Sequence, residues 1–160
     1  MALPTMPRKV AIDGVKAALA YINGQTSGGY FFDVAAVGLR PALASIGEIT
    51  PDLIPWVVVV AGDGGTDYEA DVNNGMKQQT VDVVIHAVVK PDEARRRGYS
   101  AADLQELLIG DVEKSLDLYA RHIDCGSMTG VRIGTALDPH GEYSFIEFVV
   151  SYRLRANLGI

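Results

Sequence analysis

Apolar residues recur along this chain in two rhythms. From Arg8 to Asn23, Ile12, Val15, Leu19 and Ile22 fall three or four positions apart, which predicts one buried helical face. Pro4 and Pro7 suit an irregular lead-in and a first helical turn, and Gly24 a stop. Gln25 to Gly29 reads as a loop, and the aromatic, β-branched run Tyr30 to Val37 as a short strand. Between Gly38 and Asp52, where Pro41 and Pro51 stand, no period is sustained.

The run Pro55 to Ala61 does not alternate, which predicts a strand buried on both faces. Gly62 to Gly75 has four glycines and no apolar period, and reads as a long loop. Lys77 to Lys90 alternates. Val81, Val83, Ile85, Ala87 and Val89 share one face, and Thr80, Asp82, Val84, His86 and Val88 share the other. Such a strand is long enough to protrude beyond its neighbours.

Ser100 and Asp103 have the spacing of a capping box. A helical stripe follows through Leu104, Leu108, Val112, Tyr119 and Ile123, with Leu107 and Leu116 beside it and an end near His122. Arg121 suits the negative end of that helix. Met128 to Leu137 and Tyr143 to Ala156 read as two strands joined by the turn Asp138-Pro139-His140-Gly141.

The order of elements predicts an α+β fold: a largely antiparallel mixed sheet with two helices packed on one face. A single domain, 1–160, accounts for the whole length. The opposite sheet face would carry Val84, Val88, Phe145 and Val149 among polar groups. Either a partner surface or a long loop of the chain itself would cover them.

Composition narrows the function. With 48% apolar and 21% charged residues the chain is neither disordered nor collagen-like. Its net charge of −6 argues against a sequence-independent DNA binder, and Arg95, Arg96 and Arg97 read as a solvated basic turn. The single Cys125 can form no intrachain disulfide. No apolar run reaches the ~20 residues of a membrane span. No signal peptide opens the chain, which is expected to be soluble and cytoplasmic when made.

Chemistry is sparse. His122, Asp124 and Cys125 are close in sequence but lack a zinc spacing. Neither His86 nor His140 has a nucleophile motif beside it. Gly62-Asp63-Gly64-Gly65-Thr66-Asp67 lacks the lysine of a phosphate loop, and the calcium-loop pattern is missing too. No catalytic residue, cofactor or metal is therefore expected.

The segments PDLIPWVVVVAGD, KQQTVDVVIHAVVKP and EYSFIEFVVSYRLRA, with the opening helix and the central amphipathic helix, resemble a family. Their order from Arg8 to Arg155 is similar to the tail terminator (tail completion) proteins of long-tailed bacteriophages, the minor tail protein U type. Tyr152-Arg153 in the closing strand is the most suggestive piece, and Leu39 to Pro51 departs from the pattern.

The resemblance implies a structural, non-enzymatic virion protein of the tail and neck, assembled in the host cytoplasm. It would form a hexameric ring that caps the head-proximal end of the tail tube. Its partners would be other copies of itself, the tail tube protein and a head–tail connector or head-closure protein. DNA would pass the lumen without specific binding, and no membrane is involved. Within such a ring, Asp63, Asp67, Glu69 and Asp71 would form a loop facing the lumen or the tube. Val84, Val88, Phe145 and Val149 would form the inter-subunit face. The alternatives are another head–tail joining protein, a tube or sheath subunit, or a small cytoplasmic ligand-binding protein or enzyme.

Overall fold

Alternation decides the centre of the molecule. The computed structural model describes residues 6–24, 29–34, 39, 55–72, 76–90, 98–138 and 143–157. Their elements are α1 (Pro7–Ala20), β1 (Trp56–Val72), β2 (Met76–Val89), α2 (Ala101–Tyr119), β3 (His122–Ile123), β4 (Gly126–Leu137) and β5 (Ser144–Asn157). The strands form one sheet in the order β1-β2-β5-β4-β3, and every described pairing is antiparallel. The predicted α+β class stands, with both helices on one face of the sheet.

β2 and β5 pair without a bulge from Met76↔Asn157 to Val89↔Ser144. Val81, Val83, Ile85 and Val89 then lie beside Phe148, Val150, Tyr152 and Leu154 in a fully buried core. β2 does not protrude, because β5 matches it along its whole length. Tyr152 has no exposed surface, and its hydroxyl donates to the Ala120 carbonyl at 2.6 Å, tying β5 to the end of α2. Burial pushes that phenol up to about 12.

α1 buries Ala11, Val15, Ala18 and Leu19 and ends at Ala20, earlier than the spacing predicts. Gly24 is no left-handed cap, since Gly98 is the one described residue with positive φ. It allows close approach instead: its amide donates to the Phe32 carbonyl at 2.9 Å, and a Cβ there would strike the Tyr30 and Phe32 carbonyls.

α2 opens on the predicted capping box. Ser100 Oγ accepts from the Asp103 amide at 3.1 Å, and the Asp103 carboxylate accepts from the Ser100 amide at 3.0 Å. Those hydrogen bonds hold the Asp103 carboxyl below its usual range. Leu104, Leu108, Val112 and Leu116 make the buried stripe. Tyr119, expected in that stripe, points outward and stacks on Tyr21 with ring centroids 4.0 Å apart.

The strand predicted at Tyr30–Val37 is absent from its described residues, 30–34; Asp33 makes an isolated bridge to Asn23. The reason is Asp111 on α2. Its carboxylate accepts from the amides of Phe31 at 3.0 Å and Phe32 at 2.7 Å, the donors a strand would offer a neighbour. Phe32 and Val34 plug the core there. The Ser115 hydroxyl donates to the Ala18 carbonyl, and Lys114 Nζ donates to the Gly29 carbonyl at 2.8 Å. One helix thus holds both α1 and this connecting segment. The segment 40–54, the run Arg95 to Arg97 and the turn residues Pro139 to Gly141 lie outside the described residues.

The predicted loop Gly62–Gly75 is a strand as far as Val72, and residues 73–75 lie outside the described residues. The pairing slips by one residue between Ala61 and Gly64, so the core-facing positions of β1 pass from odd to even numbers. A Cβ at Gly62 would sit 2.8 Å from the Asp82 carbonyl oxygen, and one at Gly64 2.8 Å from that of Thr80. The glycines serve a close bulge inside a ladder.

Two outcomes test this account. A Cβ at Gly126 would collide with the Arg153 carbonyl and the Leu154 backbone, neither of which can yield as a side chain would. Gly126→Ala should cost about 1–3 kcal/mol in urea unfolding. Burial raises the Asp111 carboxyl above its ordinary 3.8, although the Phe32 and Phe31 amides and Lys114 oppose the rise. Folding therefore favours its protonated form. Its stabilising linkage is full below the unfolded value and is lost as pH rises through the folded one. Thermal melts should show wild type gaining on Asp111→Asn as pH falls from 7 towards 4.

Candidate functional site

The face of the sheet away from the helices is set by register. On it Asp82 opposes Ser151, Val84 opposes Val149, His86 opposes Glu147 and Val88 opposes Phe145. β1 adds Trp56, Val58 and Val60 beside Val88, His86 and Val84. β4 adds Arg132, Gly134 and Ala136 beside Val149, Glu147 and Phe145.

This face divides in two. At one end Trp56, Val58, Val88 and Tyr143 are buried in a second hydrophobic cluster, with Val60 and Phe145 packed against it. Lys90 Nζ lies 5.0 Å over the Tyr143 ring, a cation–π contact. Of the four residues expected at an inter-subunit face, Val88 is therefore buried inside its own chain at 3% exposure. Val84, Phe145 and Val149 stay half-buried.

Polar pairs cross the strands between and beyond these residues. His86 Nε2 and a Glu147 carboxylate oxygen lie 2.8 Å apart, and the Ser151 hydroxyl donates to Asp82 at 2.7 Å. A depression of about 390 Å³ opens beside the first pair. Gly134 and Ala136 leave its floor low, while Phe145, Glu147 and His86 border it. A carboxylate, an imidazole and an aromatic ring around an open floor suit a cationic group.

The four acids assigned to a loop are placed differently. Asp63, Asp67, Glu69 and Asp71 all belong to β1, in the hairpin it makes with β2. Asp63 is exposed next to the bulge, and Asp67 pairs with Gln78. The phosphate-loop and calcium-loop comparisons fall with the loop itself. His122 and Asp124 are exposed around the β3–β4 turn, and burial, then the Asp124 charge, push the Cys125 thiol up. Among the described residues no three His, Cys, Asp or Glu side chains converge as a metal site would need. No helix among them is long and apolar enough to cross a membrane.

Sequence reasoning missed the depression. Its signal was the small residues Gly134 and Ala136 two apart in β4, but only the pairing with β5 places them beside Glu147 and Phe145. No protein-family model matches the chain, and no curated protein does either.

The divided face makes a prediction. Trp56→Ala should cost about 3–5 kcal/mol in urea unfolding, because it opens a packed cluster. Val149→Asp, at a half-buried site outside both buried clusters, should cost less, about 0.5–1.5 kcal/mol.

Proposed function

We propose that the chain is a structural subunit of a bacteriophage tail: a terminator that closes the head-proximal end of the tail tube as a ring of its own copies. The observation that supports this reading most is the uneven sheet. Both helices cover one face, while Val84, Phe145 and Val149 stay half-buried on the other among polar groups. A heterologous contact repeated by rotation would bury such a patch and close into a ring. Six copies, the tail tube below and a head–tail connector above are the partners the family resemblance implies.

The acidic arm fits the same role. Asp63, Asp67, Glu69 and Asp71 fall within ten residues of β1, in a chain of net charge −6. An acidic rim repels nucleic acid, which suits passage of DNA without retention. The role so proposed is structural and needs no catalytic group.

Light scattering after size exclusion, with negative-stain imaging of the same fraction, tests the reading. Closed rings are expected, alone or on added tail-tube ends, and Val149→Asp should abolish them while leaving the subunit folded. Open-ended tubes would identify a tube subunit instead. Failure to bind tube ends or form rings under either condition would overturn the proposal.

A further inference from the structure

β4 is the least covered strand of the sheet. β3 pairs only with Gly126 and Ser127, and among the described residues no strand lies beside β4 from Thr129 to Leu137. Residues 132–137 are exposed without a break, so both faces of that stretch meet solvent as well as its edge. Ile133 is 37% and Leu137 51% exposed on the helix side, where the helical layer does not reach them. Natural edge strands are usually guarded by charges, proline or a covering element. This one carries a single charge, Arg132, and no proline.

The open stretch Thr129–Leu137 is centred on Ile133. We propose that it pairs with the same stretch of a second copy, antiparallel, about a two-fold axis at Ile133. In that register Ile133 meets Ile133 of the other copy and Val131 meets Thr135, short of the bulge at Thr129. The two exposed Ile133 side chains become cross-strand neighbours.

The same register sets Arg132 of one copy directly opposite Gly134 of the other. Gly134 in turn pairs with Glu147 on β5. The incoming arginine thus faces the depression whose floor is Gly134 and Ala136 and whose walls include Phe145 and Glu147. Two interstrand spacings of about 4.8 Å separate the two backbones, a gap that extended arginine and glutamate side chains span together. Nothing on Gly134 blocks the path. Glu147 gives one oxygen to His86, which leaves the other for the guanidinium, and Phe145 offers a ring face. Arg132 makes no ion pair among the described residues, so no existing bond has to break. Two-fold symmetry makes each such contact twice.

This pairing closes after two copies. A ring contact would use Val84 and Val149 besides Phe145, the one residue the two contacts share, and the pairing covers an edge that would otherwise seed open-ended assembly. It does not rest on the tail reading.

Cross-linking tests the register. In a Cys125→Ser background, Ile133→Cys would bring two thiols together at Cα separations of about 4.5–5.5 Å, within disulfide range. Mild oxidation should give a covalent dimer in high yield, while Thr135→Cys, which faces Val131, should cross-link at least tenfold more slowly. By light scattering Arg132→Glu should shift dimer to monomer, and Arg132→Glu with Glu147→Arg should restore it, with circular dichroism confirming that each variant is folded. A folded, thiol-reactive Ile133→Cys protein that stays uncrosslinked would overturn the pairing. So would a charge swap that fails to rescue the dimer. Rings that persist without Ile133 cross-links would sink this proposal and spare the tail reading. Dimers that never engage tube ends would do the reverse.

Discussion

The molecule depends on one ladder, β2 against β5, in register over fourteen residues. Its alternation sets a buried row on the helix side and a mixed row on the other. The register is strongly specified, because a slip by one residue would drive Asp82 and Glu147 into the core and Ile85 and Phe148 out of it. Both neighbouring strands carry irregularities, at Ala61–Gly64 in β1 and Met128–Gly130 in β4. The sheet therefore tolerates disorder of register only away from its centre. The helices dock on that centre, and the hydroxyl of Tyr152 fixes where α2 ends against it.

Elements governed by a single period were legible in the sequence. β2, β5 and α2 each keep one rhythm throughout, and the capping box marked the start of α2 to the residue. Elements governed by a distant partner were not. The second half of β1 was illegible because a bulge resets alternation midway and its glycines imitate a loop. Residues 30–34 have strand-like composition, yet a carboxylate eighty residues away accepts the amide hydrogen bonds of Phe31 and Phe32. Tyr119 was counted into a buried stripe because spacing alone does not show where the sheet stops supporting a helix; Leu116 takes the buried place.

The candidate site shows the same division. Which residues of β2 and β5 share the outer face followed from alternation alone. That Val88 is already enclosed by Trp56, Val58 and Tyr143 required the pairing of β1, and the hollow above Gly134 required that of β4. A depression made by missing side chains leaves little trace in a linear sequence, since its meaning lies in the neighbours that rise around it.

The hold of Asp111 on Phe31 and Phe32 has a consequence in time. During synthesis the two phenylalanines emerge about eighty residues ahead of the carboxylate that receives them. β2 likewise emerges long before β5, its partner along its entire length. Contacts this far apart in the chain fold slowly, because a long loop must close before any of them forms. The nascent chain therefore carries an aromatic segment for about half of its translation, and a β1–β2 hairpin whose second edge waits for β5. Until β5 arrives, that hairpin is the local structure that can shelter β2 on one edge.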